Sequence, residues 1–275
     1  MSSKIITEEL KADIVSYYTS RPMGFQELAN KYNLSIPTLG KILEGISRWN
    51  KNLVYNPELV EDYFDNIDSE EKAYFLGLLI SDGNVFLSKT GRSSSISITL
   101  QELDKYMLEK FKEELHTNTK VAADGRGCYQ IAIRSNRLAK DLSRYGIVPR
   151  KTLKTHLPLN IPDTLMCHMF RGIMDGDGSI FVKPKGIKDH FYHTVSFCGT
   201  HQLMQEMSDY LFNNLKLSFH PNVYDYSNRS LSEFKINRLH DVNLYFDWIY
   251  KTSSIYLIRK YDKYLLFKYL MNKAN

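Results

Sequence analysis

Polar and apolar positions alternate from Ser93 to Gln101, with Ser93, Ser95, Ser97, Thr99 and Gln101 set against Ile96, Ile98 and Leu100. A period of two predicts a half-buried strand with one apolar and one polar face. The stretch before it reads differently. Residues 75–83 (FLGLLISDG) are an apolar run ending in Asp-Gly, and they predict a helix over 69–81, whose first turn carries Glu70 and Glu71 where acidic side chains belong. A short helix over 57–68 is expected to lead into it. Asn84–Ser88 reads as a strand that turns back at Thr90–Gly91. An amphipathic helix is expected over 104–115, strands over 120–123 and 129–135 joined at Asp124–Gly125, and a helix over 137–145 ending in Gly146.

The same order then returns. Residues 170–178 (FRGIMDGDG) repeat the apolar run and its ending, so that Asp82 and Asp177 stand at matching places 95 positions apart. A repeat of this length is a domain-sized unit rather than a solenoid repeat. A helix is expected over 168–175, strands over 179–183 and 194–198, a helix over 201–215, strands over 220–226 and 231–237, and a helix over 240–250. A mostly apolar tail helix follows over 254–271. Residues 151–164, with Pro158 and Pro162, read as an extended connector. The expected fold class is α+β: a duplicated αββαββα core with pseudo-twofold symmetry and two antiparallel β-sheet saddles, plus an all-α unit at the N-terminal end. The domain boundaries expected are 1–52, a linker over 53–68, and two subdomains over 69–155 and 156–275.

An aspartate at the C-terminal end of a helix meets partial negative charge, which is uphill by roughly a few tenths of a kcal/mol. Two such ends side by side repel unless a cation sits between them. Hard divalent ions take oxygen ligands and need few protein carboxylates when phosphate and water supply the rest. Metal-assisted phosphodiester hydrolysis uses that arrangement. A single Asp-Gly is well explained as a turn from helix to strand; two in matching contexts favour the paired-carboxylate reading.

The two runs resemble the paired motifs of LAGLIDADG homing endonucleases in their single-chain, two-motif form. The match is close in FRGIMDGDGSI and looser in FLGLLISDGNV, where Ile80 replaces the motif's earlier aspartate, kept in the second copy as Asp175. The resemblance covers roughly residues 70–270, leaves the first fifty aside, and supplies the LAGLIDADG-type label for the core. It implies that Asp82 and Asp177 bind the metal, Mg²⁺ with Mn²⁺ as a substitute. It also implies that basic residues flank the metal site. Lys151 and Lys260 close the two halves at matching places, where they would orient water or stabilise phosphate charge; capping a helix end is the alternative for each. Gln101 stands where the family often has a polar residue near the scissile phosphate, and its expected counterpart is Gly199.

A sheet covered by helices on one face leaves the other free. In the first half that face carries Arg92, Ser95, Ser97, Thr99, Gln101, Gln130 and Arg134; in the second, Ser179, Lys183, Lys185, Ser196, Lys235 and Asn237. Two twisted saddles side by side can line a major groove and read base edges with Arg, Lys, Gln and Asn. Each residue taken singly is equally a solvated strand position. In the first fifty residues Thr7 caps a helix running from Glu8 to about Tyr18, a second helix follows over 25–32, and Ser35 caps a third over 36–43. GFQELANKYNLSIPTLGKILEG reads as a helix-turn-helix in which Ala29 permits a close crossing. Its last helix would offer Ser35, Pro37, Thr38 and Lys41 to DNA; a three-helix cap without DNA contact is the alternative.

Composition narrows the field. The 275 residues, 43% apolar and 24% charged, describe a soluble globular chain with room for a proper core. A formal charge of +5 suits a polyanionic partner without demanding one. Cys128, Cys167 and Cys198 are scattered, with no CxxC pair, which supports neither zinc nor a disulfide framework. Asp175–Ser179 starts like an EF-hand loop, but Ile180 and Gly186 stand where it needs glycine and glutamate. No Walker loop, G-x-S-x-G or H-E-x-x-H is present. No signal peptide or membrane-length apolar run is read, so an intracellular, soluble monomer is expected. The function expected is a site-specific DNA endonuclease acting with divalent metal on both strands of a long asymmetric duplex. As a mobile element it would be free-standing or intron-encoded, since no intein splice junctions are seen. The alternative is a catalytically silent DNA-binding regulator, or a maturase with intron RNA as partner.

Overall fold

The computed structural model describes residues 6–20, 25–44, 46, 58–88, 93–150, 155–186, 190–226 and 231–274. These form two compact units, one of the described residues up to Leu59 with His116–Asn118, the other of Val60–Leu115 with Thr119 onward.

The smaller unit holds α1 (Glu8–Ser20), α2 (Phe25–Tyr32) and α3 (Ile36–Ile42). Thr7 Oγ1 accepts the Leu10 N–H at 3.2 Å, the cap its sequence suggests. After α2, Asn33 adopts a left-handed conformation (φ 50°), and the Leu34 N–H returns to the Ala29 carbonyl at 3.0 Å. Ser35 then caps α3 by accepting the Thr38 N–H. Ile14, Tyr18, Leu28, Ala29, Tyr32, Leu39 and Leu43 form this unit's own core.

The larger unit runs twice through one plan. The first half comprises α4 (Glu70–Ser81), β1 (Gly83–Leu87), β2 (Ser94–Gln101), α5 (Lys105–Glu114), β3 (Ala122–Ala123), β4 (Cys128–Arg134) and α6 (Asn136–Ser143). The second comprises α7 (Asp163–Gly176), β5 (Ser179–Pro184), β6 (Phe191–Gly199), α8 (His201–Leu215), β7 (Val223–Asp225), β8 (Ser232–Ile236) and α9 (Leu239–Tyr250), with α10 (Ile258–Ala274) after it. Each half builds a four-stranded antiparallel sheet, ordered β1-β2-β4-β3 and β5-β6-β8-β7. Ile96, Ile98, Ile131 and Ile133 are buried on the helix side of the first sheet, as are Val195, Phe197, Phe234 and Ile236 in the second.

α4 and α7 pack against each other at the centre; α4 is buried nearly all round, as a helix that is apolar on every side must be, and α7 is buried from Met169 to Asp175. Their closeness is set by glycine. A Cβ on Gly77 would lie 2.0 Å from the Met169 carbonyl oxygen, and one on Gly172 would lie 2.1 Å from that of Tyr74. No other residue allows the two backbones to meet there.

Three expectations need correction. Residues 58–68 form no helix: the Tyr63 and Asp65 N–H groups bond to carbonyls three residues back, and Tyr63, Phe64 and Ile67 are buried from a chain of turns. Asp62, Asp65, Asn66 and Asp68 compete for backbone hydrogen bonds and disfavour a helix. α7 starts at Asp163 rather than His168, because Pro162 presets the entry and Asp163 suits the first turn. Register gives Gln101 a different counterpart. Gly83 pairs with Ile98 and Ser179 with Ser196, so with Gly83 matched to Gly178, Gln101 corresponds to Thr200 rather than Gly199.

Candidate functional site

Asp82 and Asp177 occupy the same place in their halves, each the C-cap of a central helix. Their backbones are nearly identical, at φ −88°, ψ 0° and φ −89°, ψ −12°. Each N–H closes the last turn, Asp82 on Leu78 at 2.9 Å and Asp177 on Ile173 at 3.0 Å. A Cβ built on Gly176 would meet Ser81 Oγ at 1.9 Å and Asp82 Oδ2 at 2.7 Å. The Asp82 carboxylate therefore lies against the backbone of the residue preceding Asp177, across the helix pair. Asp82 is half-buried and Asp177 exposed. Among the described residues no group of three or more His, Cys, Asp or Glu is placed to hold a metal ion. The donor set is thus two carboxylates at two negative helix ends, hard oxygens suited to a cation that takes its remaining ligands from phosphate and water.

Lys260 is buried beside this pair. Its Nζ donates to the Met174 carbonyl at 2.9 Å and to the Gly178 carbonyl, bracketing the end of α7 and Asp177. Burial, and then the neighbouring Arg259 charge, bring its ammonium down to about 8, against the opposing pull of Asp175, Asp82 and Asp104. Asp175, two positions before Asp177, is fully buried, and burial pushes its carboxyl up to about 6. It accepts the Leu257 N–H at 2.7 Å, the Tyr74 hydroxyl at 2.8 Å and the Tyr250 hydroxyl at 3.3 Å.

Gln101, exposed at the end of β2, donates to Asp104 Oδ2 at 3.0 Å. The same oxygen accepts from Arg259 Nε at 2.8 Å, and Arg259 reaches the Asp175 carbonyl at 3.4 Å. A polar path thus joins the end of β2 to the end of the second half's helix. A second anchor lies at the other end of the helix pair. Buried Arg171 donates to the carbonyls of Ile255 at 2.7 Å and Ile249 at 2.6 Å and to Glu70 at 2.6 Å. Glu70 also accepts the Ser254 N–H at 2.7 Å. Burial raises the Glu70 carboxyl, but the Ser254 N–H and the Arg171 charge outweigh it, and the net shift is downward. Sequence reasoning passed over Asp104, Arg259 and Arg171. Their partners stand up to 155 positions away, and the only local sign was charge inside an apolar run.

The open sheet faces hold the other expected residues. In the first, Ser95 pairs with Arg134 and Thr99 with Gln130, and Ser97 lies between them on the same face. Gln130 Nε2 donates to Thr99 Oγ1 at 2.9 Å. In the second, Ser179 pairs with Ser196, Lys183 with Tyr192, and Ser196 with Lys235. Lys185 and Asn237 follow in phase, both exposed. Lys235 is tied to Glu233 at 3.0 Å. In the smaller unit Ser35 and Lys41 are exposed, and the Ser35 and Thr38 hydroxyls share a hydrogen bond at 2.8 Å. Arg92 and Lys151 lie outside the described residues. No helix among those residues is long and apolar enough to cross a membrane.

No family model matches the chain, and no curated protein matches it in sequence. Solved structures do. The meganuclease I-SmaMI bound to uncleavable DNA is 12% identical, with 75% of this chain and 92% of that chain covered at a TM-score of 0.54. The LAGLIDADG meganuclease I-AabMI bound to uncleaved DNA is 16% identical, with 72% and 89% covered and a TM-score of 0.52. I-CpaMI, also bound to uncleaved DNA, is 15% identical, with 75% and 92% covered and a TM-score of 0.52. At these identities the likeness is one of fold: the chain has the duplicated α+β fold of LAGLIDADG homing endonucleases.

Proposed function

We propose, from that shared fold, that the chain is a site-specific DNA endonuclease cutting both strands of a long asymmetric duplex. The observation that carries the reading is the placement of Asp82 and Asp177 at equivalent caps of two helices in backbone contact, with the Asp82 carboxylate against Gly176. The two aspartates would hold divalent metal, Mg²⁺ or Mn²⁺, which when bound activates water and stabilises the leaving oxygen. Each aspartate serves one strand. Gly77 and Gly172 bring the helix ends together, and Lys260 fixes the backbone that carries Asp177. Lys260 thereby acts on the site through the end of α7, and Lys151 is assigned the matching place in the first half. Gln101, tied through Asp104 to Arg259, is assigned a place near the scissile phosphate.

The open faces would lie along the major groove, with Ser95, Ser97, Thr99, Gln130 and Arg134 on one half-site and Lys183, Lys185, Ser196, Lys235 and Asn237 on the other. Arg92 is assigned to the first face. The DNA-bound state of the solved structures of this fold supports duplex DNA as the partner. The smaller unit, read as a helix-turn-helix, would add contacts through Ser35, Thr38 and Lys41 on α3. Both carboxylates come from one chain, so a monomer suffices.

The test is incubation of the full chain with a randomised duplex library in Mg²⁺, in Mn²⁺ and in EDTA. Double-strand breaks at one recurrent sequence, absent in EDTA, are expected. Site-specific duplex binding that survives EDTA and never leads to cutting would overturn the nuclease reading in favour of a regulator. Preferential capture of structured RNA, with both aspartates dispensable, would favour a maturase.

A further inference from the structure

The two open faces differ in chemistry. The first is set with hydroxyls, an amide and a guanidinium, and its exposed large apolar side chain is Phe86 on β1. On the second, Phe181 of β5 and Tyr192 of β6 are 51% and 50% exposed, and their rings are 6.2 Å apart on adjacent strands. Two of the polar groups on this face are already engaged. The Thr194 hydroxyl, opposite Phe181, donates to its own backbone neighbour at 2.7 Å, and Lys235 is paired with Glu233.

We propose that this face recognises a half-site containing thymine, with Phe181 and Tyr192 packing on C5-methyl groups in the major groove. The inference rests on the duplex-DNA reading above and names what one half of that target must present. Three observations select the occupant. A pair of large exposed aromatics is informative where single ones are not, and the thymine methyl is the apolar group that the major groove offers. Lys183 and Lys185 flank the rings, complementing a phosphate backbone. The rings also do not form a stacking slot for a flipped-out base: their planes are 50° apart, and the Lys185 ammonium sits 4.5 Å from the Tyr192 centroid, over its face. Lys185 occupies one Tyr192 face, and the ring surface left open on the pair offers apolar contact that suits a methyl group.

The experiment is selection of bound duplexes from a random library in EDTA, followed by deoxyuridine substitution for thymidine in each half of the selected site. Wild type should lose about fourfold in affinity for each contacted methyl removed, the burial value of one carbon, and only in one half. Phe181→Ala and Tyr192→Ala should each become indifferent to uracil at the position whose methyl the missing ring contacts, with unchanged circular dichroism because both side chains are half exposed. Indifference of wild type to deoxyuridine at a selected site would overturn the proposal alone. So would a uracil effect that persists at every position in both variants, or single strands competing as well as the duplex. Failure to select any duplex site would overturn it together with the reading it rests on.

Discussion

The two central helices carry the same motif positions and fill them differently. α4 has Leu76 and Ile80 where α7 has Arg171 and Asp175, so one helix buries two apolar side chains and the other two charges. Both charges hold backbone groups. Arg171 holds the Ile249 and Ile255 carbonyls, and Asp175 holds the Leu257 N–H, so together they pin the segment running from α9 into α10. That segment delivers Arg259 and Lys260 to the end of α7. The two halves therefore share the glycine crossing and the terminal aspartates, while the two buried charges stand on α7 alone. Buried ion pairs of this kind are weak sources of stability but fix geometry when every partner is satisfied.

The largest effect should come from removing what the halves share. Gly172→Val places side-chain atoms where the Tyr74 carbonyl lies, and a loss of at least about 3 kcal/mol in denaturant unfolding is expected. Gly176→Ala meets Ser81 Oγ and Asp82 Oδ2, which can turn away, and Ser81 Cβ at 2.5 Å, which cannot, so a smaller loss of stability than for Gly172→Val is expected. That variant should fold and lose cleavage through a displaced Asp82. Equal destabilisation by both would mean that the crossing is looser than described.

Next comes the anchor built on Arg171 of α7, which Glu70 of α4 completes. Glu70→Gln leaves Arg171 buried without its counter-charge and should cost about 3 kcal/mol near neutral pH. The Glu70 carboxyl is depressed in the folded chain, so its contribution is present above the unfolded value, 4.5, and is lost as pH falls through the folded one. Unfolding curves of wild type and Glu70→Gln should therefore converge on acidification below 4.5. A gap independent of pH would show that the carboxylate charge is not what Arg171 uses.

Asp104→Asn tests the path between the halves. It should cost about 1–2 kcal/mol of stability and slow cleavage by releasing Arg259, while binding is retained. The smallest change concerns the sheets. Glu233→Gln releases Lys235 and should tighten duplex binding a few-fold, with a steeper salt dependence; an unchanged salt slope would place Lys235 away from the phosphates.

Much of this plan was legible because it is periodic. β2 announced itself by Ile96, Ile98 and Leu100, and α8 has the bounds expected for it, His201–Leu215. Asp82 and Asp177 were legible because a duplicated ending is hard to produce by chance. Glu70 showed only as an acidic first turn, since nothing local reveals that Ser254 and Arg171 converge on it. Lys260 was read as catalytic or capping, and the burial that ties it to the end of α7 comes from a chain reversal between α9 and α10 that no local pattern encodes.

The central claim is one carboxylate per strand at a shared helix end. The direct measurement is strand-resolved cleavage of the selected site, with each strand labelled, by wild type, Asp82→Asn and Asp177→Asn in Mg²⁺. The account predicts that each variant still binds, and that each loses cutting of a different strand by on the order of 10³-fold. Loss of the same strand in both variants, or full double-strand cutting by either, would contradict it.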